Sequence, residues 1–322
     1  MNFSIRHLEE NGLRLITLRE ASTATEIALL PDHGAMLHAF KVRAPRTGAP
    51  GGLFNVIDSY PDKQRLEKEI GTSYKSCKLS PWPCRIPDGR YSFEGNEYRL
   101  QHLFKDGTAI HGLLYNQPFT VLGETTDESS ASVVMEYRYN RGDGGYPFDY
   151  ACGVRYVLHP NSMLEVITTV TNLDDKVIPM ADGWHPYFQL GGRIDDWQVQ
   201  FHASAIVEFD KQLVPTGNLL QYDSFDRPRK MGDTFLDNCF TLKQELVSPA
   251  CGIFNPENGL RVSFFPDASY PYLQLYTPDT RASIAVENLS GAPDCFNNKM
   301  GLILLEPGRS QIFTTRYQVS VE

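Results

Sequence analysis

Two of the eight histidines, His111 and His185, stand in sequence contexts that favour chemistry. His185 lies in the run DGWHPYF, residues 182–188, between aromatic side chains and beside a proline that fixes the backbone. His111 opens the segment HGLL after an apolar-polar run. Imidazole has an unperturbed pKa of about 6.5, so these side chains can give or take protons near neutral pH. A structural role fits such histidines as well, and the local sequence leaves both interpretations open.

Motifs for metal, nucleotide or nucleophilic chemistry do not occur in the sequence. There is no HExxH pattern, no close His-x-His pair, no GxGxxG loop, no phosphate-binding loop and no GxSxG elbow. The six cysteines never have the two-residue spacing of zinc ribbons or redox pairs, which predicts free thiols. We therefore expect no metal and no cofactor. Acid–base chemistry by histidine and carboxylate is what remains.

Charge and hydropathy exclude several classes of partner. The 322 residues carry 30 Lys and Arg against 39 Asp and Glu, a net charge of -9, which argues against binding nucleic acid. The richest basic stretch, residues 227–230, is typical of a solvated turn rather than a phosphate site. No apolar run is long enough to span a membrane, and the first residues do not resemble a signal peptide. The cytoplasm is the expected location.

The elements that must position these residues are strands. β-branched and aromatic residues with partial alternation predict strands over 132–139, over 151–172 with a turn at 159–162, and over 197–209. Residues 89–100 predict a hairpin turning at 94–96, and residues 62–70 predict a two-turn helix. Loops rich in proline and glycine are spread evenly and do not gather at a linker. The sequence therefore predicts one all-β domain over residues 1–322, with few short helices.

Several segments, in order along the chain, resemble the aldose 1-epimerase (galactose mutarotase) family. They are PCRIPDGRYSF at 83–93, IHGL at 110–113, GYP at 145–147, WHPYFQL at 184–190, LDNCF at 236–240, VEN at 286–288, PD at 293–294 and LEPG at 305–308. These segments lie between residues 83 and 308, the resemblance as a whole covers roughly residues 30–320, and the segment around His185 is the most specific. The resemblance implies a β-supersandwich of antiparallel strands with an open sugar cleft, and exchange of the α and β anomers of an aldose without a cofactor.

The same resemblance implies roles for individual residues. Glu287 matches the family's general base, His185 its general acid and His111 its second active-site histidine. Arg85 and Asp237 match residues that contact sugar hydroxyls. The aromatic neighbours of His185 are candidates to stack on an apolar face of the sugar; these are Trp184 and Tyr187. For Arg85, an ion pair that closes the hairpin is the structural alternative.

The sequence departs from the better-known galactose mutarotases near the expected sugar. Cys84 stands where they have asparagine, and residues 113–119 lack their tryptophan. The identity of the sugar and the oligomeric state are therefore left open. Three alternative functions also remain open. These are a hexose-6-phosphate mutarotase, a sugar-binding or regulatory protein without catalysis, and a glycoside hydrolase or lyase with Asp237 or Asp294 as the partner of Glu287.

Overall fold

A computed structural model describes residues 2–243 and 248–322, and every pair of strands within these residues is antiparallel. The chain opens with a five-stranded sheet in sequential order. Its strands are Phe3–Glu10, Leu13–Glu20, Thr25–Leu30, Met36–Arg43 and Leu53–Asn55. Short connections between neighbouring strands explain this meander, because antiparallel strands need only a turn to join them.

Two larger sheets follow. The nine-stranded sheet contains, in spatial order, Thr120–Thr126, Ala131–Asn140, Asp149–His159, Met163–Asn172, Ser310–Val321, Leu260–Pro266, Cys251–Phe254, Gln198–Phe201 and Arg229–Lys230. The eight-stranded sheet contains Pro215–Gln221, Ala203–Phe209, Asp237–Leu242, Tyr272–Tyr276, Ile284–Leu289, Gly183–Trp184 and Lys78–Leu79, and Tyr187–Phe188 also pairs with Ile284–Leu289. The predicted all-β fold is confirmed.

Three two-stranded ladders and a few short helices complete the described residues. The ladders pair Arg85–Ile86 with Ala109–Ile110, Ile178–Met180 with Ile303–Leu305, and Arg90–Phe93 with Asn96–Arg99. The α-helices are Lys63–Ser73 and Cys295–Asn298. Single 3-10 turns lie at Pro45–Thr47, Pro50–Gly52, Pro87–Gly89 and Ile194–Asp196.

The predicted strands form where alternation is clearest. Met163–Asn172 alternates buried and half-buried side chains along its whole length, as expected for a strand with one face on the core. The predicted strand over 151–172 divides at Pro160, which ends Asp149–His159 and starts the turn. The segment over 197–209 divides at His202, between Gln198–Phe201 and Ala203–Phe209, and its two halves join different sheets.

The helix predicted at 62–70 forms over Lys63–Ser73 because Asp62 caps it. The Asp62 carboxylate accepts a hydrogen bond of 2.8 Å from the Arg65 backbone N–H, which satisfies one of the unpaired donors of the first turn. Leu66 and Ile70, four residues apart, bury the inner face of the helix. The helix ends at Tyr74, whose φ of 48° is left-handed.

One cluster of buried apolar residues runs from Phe3 to Val319, so strands from both ends of the chain share a core. All six cysteines are buried and unpaired, which confirms the prediction of free thiols. Within the described residues, neither helix has the length and apolar character that crossing a membrane requires.

Candidate active site

One cavity of about 520 Å³ opens beside the eight-stranded sheet and brings predicted site residues together. Its walls include His111, His185, Glu287, Arg85, Asp237 and Tyr187. These residues come from positions 85 to 287, and strand pairing rather than sequence proximity collects them.

Glu287 is held by the middle of the eight-stranded sheet. Its strand, Ile284–Leu289, is buried at every position and pairs with Tyr272–Tyr276 on one side. Glu287 lies opposite Gln274 in that register, and its side chain is 2% exposed. A carboxylate in such a strand is costly to bury, so its presence here favours a functional role over a packing role.

His185 is fixed by its backbone and by its ring. The His185 N–H donates to the Cys77 carbonyl at 3.1 Å, and the His185 carbonyl accepts from the Ser76 N–H at 2.8 Å. The imidazole stacks on Tyr187 with centroids 5.0 Å apart and an interplanar angle of 13°. These contacts point the ring at Glu287, so that His185 Nε2 lies 3.3 Å from Glu287 Oε1.

Burial shifts the pKa values of this pair in opposite directions. Desolvation, helped by the nearby negative charge of Asp237, raises the pKa of Glu287 well above its ordinary value. Desolvation lowers the pKa of His185 to about 4. The raised pKa of Glu287 favours a protonated carboxyl group, and the lowered pKa of His185 favours a neutral imidazole. The ion-paired form, with carboxylate and imidazolium, contains the same number of protons.

His111 is placed by an unusual backbone. Its φ is 59°, and Gly112 beside it has a φ of 71°. A Cβ on Gly112 would lie 2.2 Å from the Ser80 carbonyl oxygen, so only glycine fits there. The His111 ring packs edge-on against His185 with centroids 4.9 Å apart. Burial, followed by the positive fields of His185 and Arg85, lowers the pKa of His111 well below its ordinary value, which keeps the ring neutral.

Arg85 and Asp237 stand at the cavity wall. Arg85 Nε lies 3.5 Å from a carboxylate oxygen of Asp106, and its side chain is one-quarter exposed. Arg85 therefore does have an ion-pair partner, but the pair is partly exposed to the cavity and to solvent rather than buried. Asp237 accepts a 2.9 Å hydrogen bond from Gln274 Nε2, and burial raises its pKa. Both side chains offer polar groups to a ligand in the cavity.

Trp184 is the predicted site residue that the structure places elsewhere. Successive side chains of a strand point to opposite faces, so Trp184 and His185 diverge. The Trp184 ring is 3% exposed, packs on Tyr156 and covers the ammonium group of Lys78 at 4.3 Å. It is not among the residues that line the cavity, and the interpretation of Trp184 as a sugar-stacking platform is corrected.

The cavity is also lined by polar residues that the sequence interpretation missed. Gln274 is a buried polar residue in the apolar strand Tyr272–Tyr276, and that contrast was the signal available for it. Lys75 and Lys105 line the cavity with Arg85, but no local pattern pointed to them. Lys75 is already paired with Asp58, at 2.6 Å between Nζ and Oδ1.

Solved structures with the same architecture identify the class of fold. A galactose mutarotase-like protein from Clostridium acetobutylicum superimposes with a TM-score of 0.86 at 17% identity, covering 100% of this chain and 99% of that one. A galactose 1-epimerase from Lactobacillus acidophilus NCFM gives a TM-score of 0.82 at 18% identity, with 99% of each chain covered. The fold is therefore the galactose mutarotase-like β-supersandwich that the sequence predicted.

The sequence comparisons identify the family. A family model described as aldose 1-epimerase matches residues 14–318, and the chain belongs to that family. The uncharacterized protein YihR of Escherichia coli (strain K12) is 30% identical over 252 residues, 75% of this chain and 78% of that protein. The galactose mutarotase of Bos taurus is 24% identical over 269 residues, 74% of this chain and 76% of that protein.

Proposed function

We propose that the protein is an aldose 1-epimerase, a mutarotase that interconverts the α and β anomers of an aldose, with Glu287 as base and His185 as acid. The observation that carries the proposal is the contact of these two side chains inside the cavity, 3.3 Å apart. Membership of the aldose 1-epimerase family supports the reaction class. The proposed steps need only proton transfer, and no cofactor or metal takes part in them.

Anomer exchange requires the sugar ring to open and close. The Glu287 carboxylate takes the proton of the anomeric hydroxyl, and the C1–O5 bond breaks as the aldehyde forms. The His185 imidazolium protonates the ring oxygen in the same step. After rotation about the C1–C2 bond, the two transfers run in reverse and close the ring on its other face. Both reacting oxygens are bonded to C1, so an adjacent acid and base suit the reaction.

The opposite pKa shifts fit this cycle. The two shifts favour the proton on Glu287, and this is the form that the proposed ring opening leaves behind. Moving that proton across 3.3 Å to His185 Nε2 generates the form that opens the closed sugar, without exchange with solvent. Each proton-transfer group typically contributes about 10²–10⁴-fold to the rate. The shared proton therefore restores the acid and the base in every turnover.

The remaining cavity residues are proposed to orient the sugar. Arg85 supplies donors and Asp237 supplies acceptors for sugar hydroxyls. Gln274 holds Asp237 through its 2.9 Å hydrogen bond. His111 packs on His185 and limits its rotation. Tyr187 stacks on the same imidazole and lines the cavity, where it also offers a surface for an apolar sugar face.

Polarimetry or proton NMR of freshly dissolved α-glucose, α-galactose and other aldoses tests the proposal. Catalytic amounts of the protein should accelerate the approach to anomeric equilibrium, and the panel ranks the sugars. Phosphorylated hexoses belong in the panel, because Lys75 and Lys105 line the cavity beside Arg85. Sugar binding without any acceleration, from protein shown to be folded, would favour a binding protein on the same fold instead.

The pH dependence of kcat/KM follows from the pKa shifts. At low pH the pair gains a second proton on His185, whose pKa is about 4, so activity should fall only near that pH. At high pH the pair loses its one proton from Glu287, whose pKa is raised. We expect a plateau through pH 6.5 in buffers from pH 3.5 to 10, after subtraction of the uncatalysed rate. An acid-side inflection near pH 6.5, the ordinary histidine value, would contradict this assignment.

The variant Asp237→Asn tests the alkaline limb of the same pH profile of kcat/KM. The Asp237 charge contributes to the raised pKa of Glu287, so its removal should move the alkaline limb to lower pH. The control is Asp279→Asn, the same change at a carboxylate that does not line the cavity. An unchanged limb in Asp237→Asn would mean that Glu287 does not control it.

The proposed location is a reducing cytoplasm. All six cysteines are buried and unpaired, which suits a compartment that keeps thiols reduced.

A further inference from the structure

Three side chains at the floor of the cavity form a set of possible metal ligands. Cys84, His111 and Glu287 each present one ligand atom, and these atoms lie within 4.8 Å of one another. The three residues are 6%, 6% and 2% exposed. They come from two loops and a central strand, with 26 and 175 residues between them, so no spacing motif reveals the set.

The chemistry of this donor set matches zinc and similar divalent ions. Thiolate, imidazole and carboxylate are the ligands that Zn²⁺ uses, and catalytic or exchangeable sites often have three protein ligands and one open position. Zinc–ligand distances of about 2.0–2.3 Å place ligand atoms roughly 3.3–3.8 Å apart. Ligand atoms at the 4.8 Å limit need to approach by about 1–1.5 Å to reach that geometry.

Two of the ligands are already fixed against each other. Cys84 and His111 both have a left-handed backbone, with φ values of 56° and 59°. The His111 N–H donates to the Cys84 carbonyl at 3.0 Å. The Cys84 N–H donates to His111 Nδ1 at 3.3 Å, a long bond that leaves the ring free to adjust. Non-glycine residues keep this conformation only where the surroundings impose it, so the two side chains are presented together.

The third ligand has an unused acceptor. Glu287 Oε2 is buried and has no hydrogen-bond partner among the described residues. An oxygen without a protein partner at the cavity wall can contact a bound species, such as water, a ligand hydroxyl or a cation. The sugar hydroxyl proposed above is one such species, and a divalent cation is another. The neighbouring Cys84 thiol would make a cation site here prefer soft or borderline metals.

We propose that Cys84, His111 and Glu287 form an inhibitory site for Zn²⁺. Coordination releases the thiol proton of Cys84 and the carboxyl proton of Glu287 to solvent and occupies the carboxylate. The binding itself is independent of the enzymatic activity. Its inhibitory effect rests on the proposed function, because the metal removes the base from the reaction.

Cobalt(II) is the probe for binding, because cobalt–thiolate coordination gives a near-ultraviolet charge-transfer band and intense visible bands when tetrahedral. Titration of the metal-free, full-length protein should produce these bands with one equivalent of Co²⁺, and Zn²⁺ should displace them. Cys84→Ala and Cys84→Ser should both lose the charge-transfer band. Cys239→Ala, a change at another buried thiol, is the control and should retain it.

Inhibition is measured separately, with each variant normalised to its own metal-free rate. One equivalent of Zn²⁺ should abolish most of the wild-type rate, a chelator should restore it, and Cys84→Ala should need at least tenfold more Zn²⁺. Absence of the band in wild type, or its persistence in both Cys84 variants, would overturn the proposed site. If the protein gives the cobalt band but does not catalyse mutarotation, the metal site stands and the proposed function is wrong. If it catalyses mutarotation but gives no band, the proposed function stands and the metal site is wrong.

Discussion

Replacing Glu287 with glutamine should lower the rate of anomer exchange at least about a hundredfold while the fold is retained. Glutamine has nearly the same shape as glutamate, so the tightly paired strand Ile284–Leu289 can keep its packing. An amide cannot take the proton of the anomeric hydroxyl. The loss therefore reports the missing proton transfer rather than a disturbed sheet, and it should fall mainly on kcat.

The matching change on the acid is His185→Asn, which also removes a proton-transfer group. We expect a loss of similar size, and a double variant that is little slower than either single one, because the two groups act on one shared proton. Rates come from polarimetry with the best sugar of the panel, and circular dichroism checks the fold. Glu128→Gln makes the same chemical change at an exposed position and should keep the wild-type rate. A rate near wild type in either site variant would mean that its role is assigned wrongly.

Replacing Lys78 with methionine should lower the free energy of unfolding by about 3–5 kcal/mol. Lys78 and Asp182 form an ion pair in which both side chains are 0% exposed. The Lys78 ammonium group also donates to the Gly183 carbonyl at 3.0 Å, and the Tyr270 hydroxyl donates to Asp182 Oδ2 at 2.7 Å. Removal of the ammonium leaves the Asp182 carboxylate buried without its cation, and that uncompensated charge is the source of the loss.

Urea-induced unfolding measures this loss of stability, and two further variants serve as comparisons. The double variant Lys78→Met/Asp182→Asn removes both charges, so it should lose clearly less stability than the sum of the single changes. Lys230→Met breaks an exposed ion pair with Asp196, in which both side chains are 64% exposed, and should cost less than about 1 kcal/mol. Equal losses for Lys78→Met and Lys230→Met would show that the buried pair contributes no more than a surface pair.

The buried pair matters for the site because Asp182 connects the segment that carries His185 to the end of the strand that carries Glu287. The Asp182 N–H donates to Ser290 Oγ at 2.7 Å, and the Ser290 N–H donates to the Asp182 carbonyl at 2.8 Å. These bonds tie the segment that carries His185 to the strand that carries Glu287. Strands of two residues, such as Gly183–Trp184, have little register of their own. The Lys78–Asp182 ion pair links this strand to its neighbour, in which Lys78 lies opposite Trp184.

Local sequence determined the elements of this protein. Partial alternation over residues 151–172 predicted strands, and residues 62–70 predicted a short helix, because both signals act over a few neighbouring residues. The turn at Pro160 was readable for the same reason, since proline cannot donate in a ladder. The family and its fold were recognised from ordered segments, not from periodicity.

The tertiary structure alone decided how the site is assembled. Local alternation says that Trp184 and His185 face opposite sides, but only the neighbouring sheets decide which side is core and which is cavity. The approach of Cys84 to Glu287, and the pairing of Gln274 opposite Glu287, depend on strands that meet across long stretches of chain. The pKa shifts of the acid and base depend in turn on that burial. Sequence sets local conformation through short-range sterics and hydrogen bonds, whereas proximity and desolvation are properties of the packed chain.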